Sequence, residues 1–412
     1  MVNGWVERPI TEVLKPNGIK IGPFGSQLKK EMLLSDGVYR VYGQENVYEH
    51  DFNLGDRYLT REHFNRLSSC EILPGDFVMS TMGTIGKCAI VPVTISRGIM
   101  DSHLIRLRFD EKKVRSDYIL QLFSDQFHYL SNQTSRLAVG GIMDGLSVGI
   151  VSRLKVMYPE SIEEQGKIIK TFSEVDKLII DLQKLIRKKK DIRQGTMQVL
   201  VSGKQRLNGF CDEWITQPLE KLCKLITDGS HESPVECLDG FYMPSVKDMT
   251  DNGFDFTDCK RISKYDYERL LANGCKPEVG DVLIAKDGSM LKYVFPVKKN
   301  SDIVILSSIA ILRPKINMIN SSFLTYYFRQ PRFVEQVINS NQTGTGVPRI
   351  VLKNFKKIEL HIPRDIKEQK AIADILVDMD EEIWSLEKKV KKVMAIKQGM
   401  MEELLTGKIR LI

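Results

Sequence analysis

Two short strings in this sequence set glycines beside hydroxyl and basic side chains. One is Gly75-Asp76 followed by Gly83-Thr84-Ile85-Gly86-Lys87; the other is Gly280-Asp281 followed by Gly288-Ser289 and Lys292. Backbone amides in such strings can cradle phosphate, but the phosphate-loop pattern needs a glycine where Thr81 stands and a hydroxyl where Cys88 stands. Other catalytic patterns are also incomplete. No two prolines are adjacent, so the adenine-methyltransferase pocket motif (Asn or Asp, Pro-Pro, aromatic) is missing. The six histidines, at 50, 63, 103, 128, 231 and 361, form no HExxH or HxH pair for a metal. Glu111 and Lys113 have nuclease-like spacing, but Glu-Lys-Lys is a common surface string. Seven cysteines, an odd number without a CxxC pair, suggest neither a disulfide framework nor a zinc site, and fit a reducing cytoplasm. No catalytic or metal-binding residue is expected. The chemistry left is recognition by hydrogen bonds and charge.

The elements that carry these side chains exceed one domain. A chain of 412 residues is longer than one hydrophobic core usually organises. Apolar content of 42% and charged content of 27% are those of a globular protein, and a net charge of +7 is compatible with a polyanion partner. The first residues lack the apolar core of a signal peptide, and no run of ~20 apolar residues could span a bilayer. A soluble protein with no membrane partner is expected.

One segment occurs twice without a gap. Residues 161–207 match residues 365–411, pairing Gln165 with Gln369, Asp176 with Asp380, Gln194-Gly195 with Gln398-Gly399, and Arg206-Leu207 with Arg410-Leu411. Ile372, Met379, Leu386, Val393 and Met400 recur every seven residues, as do Ile168, Val175 and Leu182 in the first copy. That spacing predicts a coiled-coil seam. Ser161 with Glu164, and Asp365 with Glu368, have capping-box spacing, while Gly203 and Gly407 stand where helix ends need a left-handed residue. About 36 helical residues span ~54 Å. Such stripes could pair two chains. Two on one chain favour an antiparallel pair within it, because intramolecular closure loses less entropy.

The segments before the helices also resemble each other. Trp5 through Pro9 answers Trp214 through Pro218, the two Gly-Asp turns correspond, and Leu107-Arg108 answers Leu312-Arg313. Short β-branched runs broken by glycine turns predict strands, with helices over 116–130 and 321–339. The fold class is α+β: two globular domains of mixed helix and strand joined by two long antiparallel coiled-coil helices, an internal repeat with pseudo-twofold symmetry. The expected boundaries are 1–160 and 208–364 for the domains, with 161–207 and 365–412 for the helices.

This order, with the final string Leu404 to Leu411 (LLTGKIRL), resembles the specificity subunit of type I restriction–modification systems. Gly22 to Lys30, Gly75 to Lys87 and Ile226 to His231 resemble that family's target recognition domains. The resemblance covers essentially the whole chain. It implies a non-catalytic subunit in which each domain reads one half of an asymmetric, two-part target in double-stranded DNA, while the helices set the spacing. It further implies two methyltransferase (modification) subunits using S-adenosylmethionine, and motor-nuclease (restriction) subunits using ATP and Mg. No cofactor is expected on this chain itself, and the setting would be a prokaryotic cytoplasm.

Reading bases takes Arg, Lys, Asn, Gln, Ser or Thr on close-approaching loops. In the first domain these residues are Ser26, Gln27, Lys29, Lys30, Gln44, Asn46, Thr84, Lys87 and Arg136. In the second they are Ser230, His231, Lys247, Lys286, Ser289, Lys292, Gln342, Thr343, Thr345 and Arg349. The basic run Arg187 to Lys190 could meet phosphates or serve as a solvated helix face. The repeated Gln-Gly pair, costly within a helix, suggests close helix packing or a partner's docking site. The alternative reading is a coiled-coil adaptor that binds proteins rather than DNA.

Overall fold

The computed structural model describes residues 4–137, 145–288, 291–341 and 349–412. They form two compact units, Met1–Gln183 with Lys388–Ile412, and Lys184–Glu387. Each unit contains a globular domain and a stretch of each long helix.

The same four-stranded antiparallel sheet occurs in both units. In the first its order is Leu14–Ile21, Leu104–Phe109, Phe77–Ser80, Cys88–Ile90; in the second it is Cys223–Asp228, Ile309–Pro314, Val282–Ala285, Val294–Pro296. Phe77 to Ser80 and Val282 to Ala285 are buried throughout, as expected of central strands covered on both faces. A two-stranded clasp closes each domain: Trp5–Pro9 on Lys155–Pro159, and Trp214–Pro218 on Glu359–Pro363. The domains differ in their additions. The first carries a second four-stranded sheet in which Tyr39–Tyr42 runs parallel to Gly98–Met100; the second has two short ribbons instead.

The Gly-Asp turns and the Leu-Arg pairs prove to be two ends of one interaction. Gly75 and Gly280 hold φ of 84° and 94°, a conformation that favours glycine, and turn the chain so that the next aspartate points inward. Asp76 takes a two-pronged bond from Arg108 at 2.7 and 3.0 Å, and Asp281 takes one from Arg313 at 2.8 and 3.0 Å.

The long helices run Ile162–Leu200 and Ile366–Leu404. In the first unit Ile168 and Phe172 share a core with Met401 and Leu404. In the second, Met197 and Leu200 share one with Ile372 and Leu376. Asp176 pairs with Lys397 in the first unit and Arg193 with Asp380 in the second, so rising numbers meet falling ones and the helices are antiparallel. Lys397 and Arg193 occupy the seam row itself, each matched to a carboxylate on the facing helix.

Identical clasps fix helices to domains. Gln165, fully buried, accepts from Arg115 N and donates to the carbonyls of Lys113 and Pro159; Gln369 does the same with Asn320, Met318 and Pro363. Glu164 and Glu368 depart from the capping-box expectation. Ser161 Oγ does accept from Glu164 N, but each glutamate carboxylate instead receives a forked bond, from Arg410 and Arg206 respectively, at 2.6–2.7 Å. Gly407 and Gly203 end the helices at φ of 73° and 72° against the rings of Trp5 and Trp214.

Two other expectations change. The helix expected over 116–130 is two, Ser116–Leu122 and Tyr129–Leu137, with His128 left-handed at φ 56° between them; the other is Ser321–Phe328 and Pro331–Asn341, where the proline cannot continue a helix and starts a new one. The Gln-Gly glycines do not mark close helix packing. A Cβ on Gly195 or Gly399 would meet open space.

Candidate nucleic-acid interface

At one end of each four-stranded sheet, three backbone segments converge. The first is the crossing that follows the edge strand, at Gly22 or Gly229. A Cβ on either glycine would collide with a backbone carbonyl, of Asp101 or Ile305, so only glycine fits. The second is a short capped turn. Gly43 N donates to Asn46 Oδ1 at 2.9 Å, and Ser245 N donates to Asp248 Oδ2 at 2.8 Å. The third follows the central strand, over Thr81 to Lys87 or from Lys286 to Gly288, with Gly83 and Gly288 left-handed at 65° and 66°. In the first unit the Tyr48 hydroxyl ties the second segment to the third, lying 3.0–3.2 Å from Gln44 Oε1, the Met82 and Thr84 carbonyls and Thr84 N.

The junctions share a charge plan while differing in residues. In the first unit Arg57 Nη1 bonds Asp101 at 2.9 Å and Nη2 bonds Glu45 at 2.6 Å. Asp101 is buried, and the His103 ring nitrogen lies 3.6 Å from it. In the second unit Lys286 Nζ lies 3.3 Å from Asp228 and 3.2 Å from Asp287, with His231 Nε2 3.3 Å from Asp228. Each junction therefore has a cation between two carboxylates and a histidine on the more buried carboxylate, half-exposed at His103 and exposed at His231. Bonding to Asp101 and Glu45 outweighs desolvation and raises the Arg57 pKa, so this cation stays charged at any ordinary pH.

The expected contact residues are placed differently from one another. Exposed and near a junction are Thr84, His231 and Lys247, with Gln44 half-buried; Arg349 is brought beside Asp287 by a β-bridge. Ser26, Gln27, Lys29 and Lys30 are exposed on the loop after Gly22, and Gln27 lines a shallow cavity with Phe24 and Arg66. Lys292 is exposed over the Tyr293 ring, Lys87 pairs with Asp125, and Arg136 is exposed at the end of its helix. Three have their polar atoms buried and engaged within the protein. Asn46 also donates to the carbonyls of Asp51 and Leu54, Ser230 Oγ closes a turn with Glu232, and Lys286 is held by its two aspartates. Ser289, Gln342, Thr343 and Thr345 lie outside the described residues. Lys189 and Lys190 of the basic run pair with Glu382 and Glu387. The Glu111 carboxylate accepts from Ser116 at a helix start, and Lys113 donates to Glu12 O.

A sequence model of the family described as type I restriction modification DNA specificity domain matches residues 3–194 and 219–394. The chain belongs to this family. Among curated proteins it is similar to two from Methanocaldococcus jannaschii. One is the type I restriction enzyme MjaVIII specificity subunit, 34% identical over 31% of this chain and 28% of that protein. The other is a putative type I restriction enzyme MjaX specificity subunit, 24% identical over 84% of this chain and 80% of that one. Among solved structures, the S subunit from M. genitalium covers 98% of this chain and 97% of its own, with a TM-score of 0.55 and 15% identity. The HsdS subunit from Thermoanaerobacter tengcongensis covers 99% and 98%, with a TM-score of 0.53 and 16% identity. These likenesses show a shared fold.

Two features of this specificity-subunit chain were not visible in its sequence. The first is the charge plan: Arg57 precedes the strand and capped helix that Lys260 precedes in the second domain, yet nothing in its spacing links it to Asp101. The second is a cleft of about 230 Å³ in the second unit, lined by Tyr326, Arg329, Asp380 and Trp384 among others. Tyr326 Oη donates to Asp380 Oδ2 at 2.8 Å there, and burial lowers the Arg329 pKa against the pull of Asp380. Trp384 is 57% exposed on the long helix. Among the described residues no group of three His, Cys, Asp or Glu side chains could hold a metal, and no helix is long and apolar enough to cross a membrane. Burial also pushes the Cys259 thiol up to about 11, away from thiolate chemistry.

Proposed function

We propose that this chain reads DNA sequence for a type I restriction–modification enzyme and catalyses nothing itself. Each domain contacts one half of an asymmetric two-part target, and the long helices set the gap and dock two methyltransferase subunits. S-adenosylmethionine, ATP and Mg belong to partner subunits, the methyltransferases and the motor-nucleases. The assembly works in a prokaryotic cytoplasm, where its DNA is.

One observation carries this reading: the same three-segment scaffold is built twice, with different side chains at its centre. A repeated scaffold with altered chemistry is what two half-sites of different sequence require. The exposed Trp384 beside its cleft supports docking on the helices, since aromatic anchors dominate protein interfaces. The test is selection of duplexes from a randomised pool by the chain reconstituted with a type I methyltransferase subunit, at two salt concentrations. A split, asymmetric motif with a fixed gap, and affinity that falls steeply with salt, is the expected result. Enrichment that stays sequence-blind while the complex assembles would replace this reading with a protein-binding adaptor.

A further inference from the structure

We infer that the two charge clusters hold the specificity determinants of the two half-sites, Arg57 reading a guanine and Asp287, pinned by Lys286, reading an exocyclic amine of cytosine or adenine. The inference rests on the proposed DNA reading and assigns the chemistry within it.

Position is the first argument. Both clusters sit where the crossing, the capped turn and the strand-end turn meet, and glycine is required there in both domains. Gly22 and Gly229 each allow a close backbone crossing, and a Cβ on Gly43 would clash with Arg57, Glu45 and Asp101. The scaffold around the clusters is therefore conserved between the repeats while the functional groups are exchanged. Glu45 occupies the turn position that Lys247 holds in the second domain, next to the Asn46 or Asp248 that closes the turn. Thr81 and Met82 stand where the second domain has Lys286 and Asp287.

Presentation is the second argument. The Arg57 side chain is 30% exposed and uses two of its five N–H donors on Asp101 and Glu45. A guanidinium gripped by carboxylates has already lost its rotamer freedom, so presenting a donor pair to O6 and N7 of guanine costs little further entropy. The second cluster is inverted. Lys286 is 8% exposed, so the cation faces inward, and Asp287, 26% exposed, is the group turned toward solvent. A carboxylate pinned by a buried lysine accepts from an amine; on a base edge those donors are N4 of cytosine and N6 of adenine. The first domain thus offers donors and the second an acceptor.

The test is the same duplex selection run on variants. With Arg57→Gln, guanine at one position of one half-site should lose about 5- to 150-fold in enrichment, with the other half unchanged. With Asp287→Asn, an amino-bearing base should lose its preference in the other half only. Arg57→Lys guards against misfolding: it keeps the charge beside Asp101 but lacks the fork, so the same position should relax while affinity at low salt holds. Glu45→Gln, at a half-exposed residue, should give a milder loss at that position. Variants that keep the wild-type motif, or that weaken every sequence equally, overturn the assignment and leave DNA reading standing. A wild-type complex that selects no motif overturns both.

Discussion

The carboxylate of Asp281 is 1% exposed, and both its oxygens are committed to Arg313 and to Glu278 N. Asp76 repeats this with Arg108 and Leu73 N. Removing one partner of a buried, forked pair typically costs 3–5 kcal/mol, and the low end applies here because Arg108 and Arg313 keep partial solvent access and Arg313 also pairs with Glu278. Asp281→Ala should therefore lower the stability of the second unit by about 3 kcal/mol, and Asp76→Ala that of the first. Chemical denaturation checks this; midpoints that do not move would mean the arginines find water instead. Glu164 gives a pH dependence. The forked bond from Arg410 holds its carboxyl below the usual carboxylate range. A depressed folded pKa contributes stability above the unfolded value, about 4.3, and that contribution is lost as pH falls through the folded value. Wild type should thus exceed Glu164→Gln in stability at neutral pH, with the gap closing below about pH 4. Denaturation of both across pH 2–7, roughly the range where carboxylates titrate, reads this directly. The sequence made these residues conspicuous without explaining them: Gly-Asp and Leu-Arg stood out as separate repeats, and only the sheet joins them. Arg57 had no such signal, because its partners lie 12 and 44 residues away and only the pairing of the sheet that holds Tyr58–Leu59 and Gly98–Met100 brings Asp101 to it.

At the level of elements, the long helices were the most legible part, because a seven-residue apolar period is a local pattern that constrains its own geometry. The shorter helices were misjudged where one residue, Pro331 or the left-handed His128, outweighs the propensity of its neighbours. The Gln-Gly pair was legible as an oddity only. Gln398 Nε2 donates to Gln126 O at 3.0 Å, whereas the equivalent Gln194 Nε2 is buried without a partner, and the following glycines face open space. An exposed glycine inside a helix costs ~1 kcal/mol relative to alanine. Gly195→Ala and Gly399→Ala should each raise the melting temperature of the free chain, by a stabilisation of up to about 1 kcal/mol. If the bare backbone is there for a partner's close approach, the same variants should weaken assembly with the methyltransferase. Titration of the complex against both alanine variants separates the cases: unchanged assembly removes the docking explanation for the glycines.

For the whole molecule, the two long helices matter because each passes through both units, with residues of Ile162–Leu200 and of Ile366–Leu404 in each. Under the proposed function their length is the ruler for the gap between half-sites. A ruler can be altered without disturbing either reading domain, provided the insertion respects the seam. Three heptads, about 21 residues, lengthen a helix by roughly 31 Å and return the apolar stripe to the same face. One turn of DNA is ~34 Å, so that insertion in both helices, between Gln183 and Lys184 and between Glu387 and Lys388, shifts the half-sites by nearly a full turn. The selected motif should then keep both halves and gain a gap of about nine base pairs. A two-heptad insertion, roughly 21 Å or about six base pairs, presents the second half-site on the wrong side of the duplex and should bind more weakly at every gap. The three-heptad protein must be matched to DNA, so the measurement is affinity against duplexes whose gaps increase one base pair at a time. A maximum that stays at the wild-type gap would mean that partner subunits, and not these helices, set the spacing.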